Sequence, residues 1–337
     1  MSLFKPFVAP LLPLILAGCA SAPAPKPIVV APAPLPPSRV EKVHEPLEVT
    51  PLELHFSGLR GVTKGSESVA IKNTGNESAP VSEIRVVGTH AATFKILNVP
   101  LLPVVLPPGK SFSFAVGFEP AADAEAGVQH ARVRIVRTED DDGPPCDLTG
   151  LVTVGSKPSD EPTLQEILET LGYDVDVGSQ SRKLPTTPPL LGDEIKSPIF
   201  ERAKPGDVGY YLIARYATDE ASSFGYYVVK DGKSVTKPIG SAAKGHNQTL
   251  NPELEGDSQT SFDPGENRFG LYLKVGRRTL SCDDKTSSCA RVSRTYPLRS
   301  RGRTPVQDAY VVAFDEDGDG DFQDHVFMLW NVKPAQD

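Results

Sequence analysis

Short apolar runs separated by turn-forming residues constrain the fold of this chain more than any other feature. In residues 47–155 apolar and polar residues alternate, and Gly, Pro and Asn separate one run from the next. A period of two puts alternate side chains on one face of a strand, so the run 111–118 should direct one set of side chains to the core. These side chains are Phe112, Phe114, Val116 and Phe118. Several short strands with regular turn signals are typical of an all-β sandwich. The predicted strands are 52–56, 67–71, 81–87, 111–118 and 131–136.

Residues 160–337 predict a second β-sandwich that opens with one short helix. Thr163 is a suitable helix cap, and Glu166 places a negative charge in the first turn. Apolar residues at helical spacing follow, and Gly172 ends the pattern. These apolar residues are Leu164, Ile167, Leu168 and Leu171. The strands predicted beyond the helix are 210–216, 224–229, 269–275, 290–296, 308–314 and 325–332. The predicted fold class is therefore all-β, with two β-sandwich domains.

Five motifs of the first half occur in an order that resembles a known family. They are Leu54-His55-Phe56, Val69-Ala70-Ile71-Lys72-Asn73-Thr74-Gly75-Asn76, Leu106-Pro107-Pro108-Gly109, Phe118-Glu119-Pro120 and Leu148-Thr149-Gly150. The series looks like the immunoglobulin-like domains of the Hydin and abnormal-spindle type, which are common in bacterial surface proteins as choice-of-anchor modules. This resemblance implies an immunoglobulin-like fold for 47–155 and a spacer or protein-binding role without catalytic residues.

Residues 1–19 indicate an export signal that ends on a cysteine. The apolar run 7–16 follows Lys5 and is too short to cross a bilayer, which needs about 20 apolar residues. It suits a signal peptide with a small-residue cleavage site. The closing Leu16-Ala17-Gly18-Cys19 resembles the lipobox of bacterial lipoproteins, which implies cleavage before Cys19, lipidation of that residue and stable membrane anchoring by several acyl chains. Ala20 in place of Asp resembles the sorting signal for the outer membrane. The alternative is an ordinary secretory signal with an incidental cysteine.

Residues 20–46 predict a tether between the membrane and the folded part. Alternating Ala-Pro and Pro-Pro steps fix φ and remove backbone donors, so neither helix nor sheet can form. Such a segment is a semi-rigid spacer that rises about 3.1 Å per residue, or a plainly disordered linker. The formal charge of −8 at pH 7 argues against nucleic acid as a partner, because phosphate binding needs a basic face.

Two of the cysteines predict a disulfide in the second domain. Cys282 and Cys289 bracket a polar loop, and the flanking strands should bring their sulfurs together at the end of a hairpin. In an oxidising compartment a disulfide is the expected state. Cys146 is then unpaired, either as a buried thiol or as half of an intermolecular bridge.

The segment 314–324 carries the strongest chemical signal of the chain. Six carboxylates fall within the ten residues 315–324, and apolar strands flank them on both sides. Strands that draw the loop ends together would force the carboxylates to repel one another unless a cation lies between them. Oxygen ligands in a flexible loop suit Ca²⁺ better than Mg²⁺. The predicted ligands of one Ca²⁺ are Asp315, Asp317, Asp319, Asp321 and Asp324. The alternative is a solvated acidic turn.

The same segment resembles a C-terminal calcium-site domain of unknown function that occurs in many bacterial secreted proteins. The matching residues are Phe314, Glu316, Asp317, Asp319, Asp321, Phe322, Asp324, Val326 and Phe327. Gln323 replaces the Asn that is usual in that family. An EF-hand is excluded, because Val326 occupies the place of the bidentate Glu and the flanking elements are strands.

These patterns favour a non-catalytic function. The chain has no Gly-x-Ser-x-Gly, His-Glu-x-x-His or phosphate-loop motif. We expect a calcium-stabilised lipoprotein of the cell envelope that has a structural, adhesive or ligand-binding role, with an envelope protein or a glycan as partner. The alternative is a carbohydrate-binding accessory or a carbohydrate-active enzyme. An exposed aromatic platform would support this alternative, because sugars stack on exposed rings. The candidate rings are Tyr210, Tyr211, Tyr226, Tyr227 and Trp330.

Replacement of the lipobox cysteine tests the predicted anchor. We expect the Cys19→Ala chain to leave the detergent phase and to lose incorporation of labelled fatty acid, because no other cysteine follows a lipobox-like sequence. Cys146→Ala is the matched control and should partition like the native chain. A Cys19→Ala chain that stays in the detergent phase would show that another anchor exists.

Overall fold

The computed structural model of the protein describes residues 46–139, 141–155, 157, 160–185, 190–196, 199–230, 233–245, 247–281 and 292–335. The predicted lipidation site Cys19, almost all of the tether 20–46, and the predicted disulfide of Cys282 and Cys289 lie outside these residues. Within the described ranges, no helix has the length and apolar character that crossing a bilayer requires. The fold is all-β and consists of two β-sandwiches.

The first sandwich has an immunoglobulin-like architecture of two main sheets. Its strands are β1 (Leu47–Thr50), β2 (Glu53–Leu59), β3 (Lys64–Asn73), β4 (Ala79–Val81), β5 (Glu83–Val87), β6 (Phe94–Leu97), β7 (Val104–Leu106), β8 (Ser111–Phe118), β9 (Gly127–Thr138), β10 (Asp141–Asp142) and β11 (Cys146–Thr153). One sheet has the order β1-β3-β8-β6, and the other has the order β10-β9-β11-β2 with β5 beside β9. Strands β4 and β7 form a small separate pair. Strand β11 runs parallel to β2 and antiparallel to β9.

The core of the first sandwich confirms the predicted alternation along β8. Phe114, Val116 and Phe118 are buried, and Phe112 packs half-buried against the same cluster. The Phe118 ring stacks on Phe56 with the ring centroids 5.7 Å apart. The prediction of one strand over 81–87 is wrong. The chain changes sheets at Ser82, whose backbone N–H and hydroxyl both donate to the Val136 carbonyl, so β4 and β5 are separate strands.

The second sandwich also has two main sheets. Its strands are β12 (Ile199–Arg202), β13 (Val208–Arg215), β14 (Ser222–Lys230), β15 (Lys233–Ala242), β16 (Thr249–Leu250), β17 (Ser261–Phe262), β18 (Phe269–Val275), β19 (Arg278–Ser281), β20 (Ser293–Ser300), β21 (Thr304–Phe314), β22 (His325–Trp330) and β23 (Val332–Pro334). The sheet orders are β15-β14-β18-β12-β23 and β16-β13-β22-β21-β20. Strand β19 joins β18, and β17 joins β13. The predicted strand 325–332 is divided at Asn331, whose φ of 62° lies in the left-handed region.

A short helix follows the segment that joins the two sandwiches. Helix α1 (Leu164–Thr170) begins after the predicted cap, Thr163. The structure adds a reciprocal capping box, in which the Thr163 hydroxyl accepts from the Glu166 N–H and the Glu166 carboxylate accepts from the Thr163 N–H. The chain leaves the helix at Gly172 with φ of 78°. The apolar residues of α1 pack in one cluster with Leu151 of β11 and with residues of β21 and β22. The helix therefore belongs to the contact between the sandwiches as well as to the second of them.

Close packing of β11 under Phe118 gives a test of the first core. A Cβ atom added at Gly150 would lie 2.1 Å from the Phe118 ring, so Gly150→Ala must displace the ring or the strand. We expect the variant to lose about 1–3 kcal/mol of unfolding free energy in urea titrations. Gly65→Ala in β3 is the matched control, since an added Cβ there meets no atom within 4 Å. Equal unfolding midpoints for the two variants would contradict the close contact.

Candidate metal centre

The acidic segment connects two neighbouring strands of the second sandwich. Strands β21 and β22 are antiparallel partners, and Phe314 pairs with His325 in their register. The loop ends are therefore held together, as the sequence predicts. Phe322 lies within the segment and is fully buried, with a positive φ of 57°. Burial of this ring pulls the polar residues on either side of it into the interior.

Three of the five predicted ligands converge in the loop. Asp315, Asp321 and Asp324 are 1%, 3% and 6% exposed, and one carboxylate oxygen from each lies within 4.8 Å of the others. Oxygens bound to one Ca²⁺ at about 2.4 Å can be separated by no more than about 4.8 Å. We call Asp315, Asp321 and Asp324 the acidic triad. Its spacing and its oxygen-only composition fit a hard metal ion.

Backbone donors fix the orientation of the triad. The two Asp315 oxygens accept from the backbone N–H groups of Gly318 at 2.7 Å and Gly320 at 2.9 Å. The Asp324 carboxylate accepts from the Glu316 N–H. Gly318 and Gly320 have φ of 76° and 93°, a region that favours glycine, and this allows the loop to turn its amides towards Asp315. The two glycines of the motif therefore shape the loop around its first carboxylate.

The other two predicted ligands lie at the rim of the loop. Asp317 forms an ion pair with Arg278 at 3.0 Å, and Asp319 lies 3.4 Å from the Lys183 ammonium. Both Asp317 and Asp319 line a cavity of about 50 Å³ together with Asp321 and Asp324. Asp317 and Asp319 thus lie beside the triad, and each also pairs with a cationic side chain.

Two buried carboxylates were not predicted as site residues. Glu316 is 3% exposed, and its Oε1 accepts from the Thr218 hydroxyl at 2.6 Å. Glu161 is 5% exposed and lines the same cavity as the rim aspartates. Glu316 lies in the acidic segment 314–324, and this position in the sequence indicated that it could belong to the site. Glu161 lies far away in the sequence, beside Pro162, and no local pattern marks it.

The carboxylates of the loop lie in an environment that disfavours their charge. Burial raises the pKa of Asp315, of Glu316 and of Asp324, and it raises the pKa of Asp321 to about 7. Neighbouring carboxylates raise these pKa values further. Among the described residues, Arg and Lys form ion pairs with Asp317 and Asp319 but not with the triad. A bound cation would supply the missing positive charge.

Four buried oxygens in and around the triad have no hydrogen-bond partner among the described residues. They are Glu316 Oε2, Asp319 Oδ1, Asp321 Oδ1 and Gln323 Oε1. A buried acceptor without a partner costs about 1–3 kcal/mol. The loop therefore combines converging carboxylates with unused acceptors, and this combination can hold a metal ion.

A serine, a histidine and a glutamate meet behind the loop. His325 Nε2 lies 2.9 Å from the Ser222 hydroxyl, and His325 Nδ1 lies 3.6 Å from Glu316 Oε2. All three residues are at most 3% exposed, so the Ser222 hydroxyl is closed to a substrate in this conformation. Burial lowers the pKa of His325 well below its ordinary value, which keeps the imidazole neutral. The contact between Ser222 and His325 links β14 of one sheet to β22 of the other.

The chain resembles several solved structures at low sequence identity and low TM-score. No protein-family model and no curated protein matches the chain. Among solved structures, the calcium-binding domain CBD12 of CALX1.1 is 9% identical over 71% of this chain and 82% of that one, with a TM-score of 0.26. The E. coli chaperone DraB is 8% identical over 70% and 95%, with a TM-score of 0.24. The Chromobacterium violaceum lectin CV2L is 12% identical over 42% and 100%, with a TM-score of 0.22. Similarities this low carry no argument about function.

Proposed function

We propose that the protein is a non-catalytic lipoprotein of the cell envelope whose second sandwich is stabilised by one Ca²⁺ at the acidic triad. The observation that carries this proposal is the convergence of Asp315, Asp321 and Asp324 inside a closed loop. The lipobox-like ending at Cys19 supports the envelope location and the membrane anchor. The sandwiches then act as a spacer with a structural, adhesive or ligand-binding role.

Ca²⁺ is the ion that the site favours. The donors are all oxygens, and Ca²⁺ accepts six to eight such ligands in irregular geometry, whereas Mg²⁺ requires a nearly ideal octahedron. Asp317 and Asp319 at the rim, a backbone carbonyl and water can complete the shell. Extracellular calcium is often millimolar, so a site with a Kd of about 10⁻⁴ M would be mostly filled outside the cytoplasm. A protein exported from the cytoplasm would therefore meet enough calcium to fill the proposed site.

Thermal melting of the full chain in calcium and in chelator tests the site. Calcium at a hundredfold excess over its Kd should add about 2.7 kcal/mol of stability. For the second sandwich this corresponds to an increase in Tm of about 5–10 °C. Replacement of two triad residues, Asp321→Asn/Asp324→Asn, should abolish this increase. The same variant should melt higher than the native chain in chelator, because it relieves the repulsion between buried carboxylates.

The matched control removes two exposed carboxylates of the same sandwich, Glu253→Gln/Asp257→Asn. It should retain the calcium-dependent increase of the native chain. Identical melting of the native chain in calcium and in chelator, with no heat of binding in calorimetry, would show that the loop is only an acidic turn.

A pair of aromatic rings favours carbohydrate binding as a second candidate function. Of the five candidate rings, Tyr210, Tyr226 and Tyr227 are buried. Tyr211 is 39% exposed, and its ring stacks on Trp330 with centroids 4.4 Å apart. Tyr211 also lines a cleft of about 340 Å³, together with Tyr173, Asn251, Pro252 and Met328. An exposed aromatic face offers a large apolar area to the C–H face of a sugar.

A glycan array with the full chain tests this second candidate. We expect Tyr211→Ala to lose at least 90% of any glycan signal, about a tenfold loss of affinity for about 1.4 kcal/mol of stacking. Val235→Ala, which removes an exposed side chain from β15 in the other sheet, is the control. Glycan signals that are equal for the two variants, or absent for the native chain, would exclude this platform as a sugar site.

A further inference from the structure

Glu161 brings a carboxylate to the metal centre from the segment between the two sandwiches. Strand β11 ends at Thr153, and the helix cap lies at Thr163, so Glu161 belongs to the connection between them. Its side chain is buried, and it lines the cavity that Asp319, Asp321 and Asp324 also line. A residue of the connection therefore faces the acidic loop of the second sandwich.

One amide group joins Glu161 to the triad. Gln323 Nε2 donates to Asp321 Oδ2 at 2.7 Å and to Glu161 Oε2 at 3.0 Å. The other oxygen of Glu161 accepts from the side-chain amide of Gln248. Gln323 is fully buried, so these two hydrogen bonds are protected from water. The orientation of Asp321 thus depends on Gln323, and that of Gln323 depends on Glu161.

The bridge leaves two buried acceptors unused beside the triad. Gln323 Oε1 and Asp321 Oδ1 are both buried and have no hydrogen-bond partner. Because the Gln323 NH₂ group is engaged by two carboxylates, its oxygen must point elsewhere. Burial raises the pKa of Glu161, and the neighbouring Asp319 raises it further. These observations are independent of the distances within the triad.

We propose that Glu161 is a positioning residue of the metal centre, which holds Asp321 through Gln323 in the orientation that binds the ion. This inference rests on the proposed Ca²⁺ site. Partners beyond the direct ligands fix the orientation of the ligands, and their removal typically weakens metal binding by about 10–100-fold. Through the same contacts, a bound ion restrains the segment between the sandwiches.

The effect extends to the first sandwich through α1. Thr163, two residues after Glu161, caps this helix, and Leu164 and Ile167 of the helix pack with Leu151 of β11. An ion at the triad therefore restrains Glu161, and Glu161 restrains the start of the helix between the sandwiches. Loss of the ion should release this segment before it unfolds either core.

Calcium titration of Glu161→Gln in the full chain tests the proposal. The substitution keeps the size of the side chain but replaces one of its two acceptor oxygens by NH₂, so the side chain can no longer accept from both Gln248 and Gln323. We expect the Kd for calcium to increase at least tenfold. A purely structural role would lower the Tm equally in calcium and in chelator. A positioning role reduces the difference between these two Tm values. Hydrogen exchange of peptides over 160–171 should slow on calcium addition in the native chain but not in the variant.

Gln323→Met gives a second variant that interrupts the same bridge from the other side. The Kd of Gln323→Met for calcium should increase as much as that of Glu161→Gln. The double variant should bind calcium no more weakly than Gln323→Met alone, because both changes break the same bridge from Glu161 through Gln323 to Asp321. Glu169→Gln, an exposed carboxylate on α1, is the matched control and should bind calcium like the native chain.

Two outcomes separate the two proposals. If Glu161→Gln and Gln323→Met both bind calcium within twofold of the native Kd and keep the calcium-dependent protection of 160–171, the role of Glu161 is overturned and the Ca²⁺ site stands. If the native chain itself does not bind calcium, both proposals are overturned.

Discussion

Repulsion between buried carboxylates is the constraint on which the second sandwich depends. The core needs Phe314 and Phe322 inside, and both belong to the acidic segment or border it. Their burial carries Asp315, Asp321 and Asp324 into an environment that raises the pKa of each. Apolar packing and electrostatics therefore oppose each other within one loop. The hydrogen bonds from Gly318 and Gly320 relieve part of this conflict at Asp315, and a cation would relieve the rest.

The contact between the sandwiches depends on the same loop. Gln323 follows Phe322 in the sequence and reaches Glu161 because the ring beside it is anchored in the core. The Gln323 amide spans the distance between Asp321 and Glu161 by donating to both carboxylates. The acidic loop and the segment that leads into α1 are thus parts of one polar network.

Local patterns predicted the elements but not their long-range partners. The capping box at Thr163 and the alternation along 111–118 act over a few residues, so the sequence was sufficient for α1 and β8. The change of sheets at Ser82 and the parallel pairing of β11 with β2 depend on strands that lie far away in the chain. Sequence spacing placed five aspartates in one site. The structure brings oxygens of three of them within 4.8 Å of one another, whereas Asp317 and Asp319 pair with Arg278 and Lys183.

The indole of Trp330 lies flat on Gly209, where an added Cβ atom would be only 1.6 Å from the ring. It is the single tryptophan of the chain, and it stands near the end of β22, the strand that starts directly after the acidic loop. Its fluorescence therefore originates from the second sandwich alone. Tryptophan fluorescence can therefore follow the second sandwich during unfolding or ion binding without an attached dye. The first sandwich has no tryptophan and does not contribute to this emission.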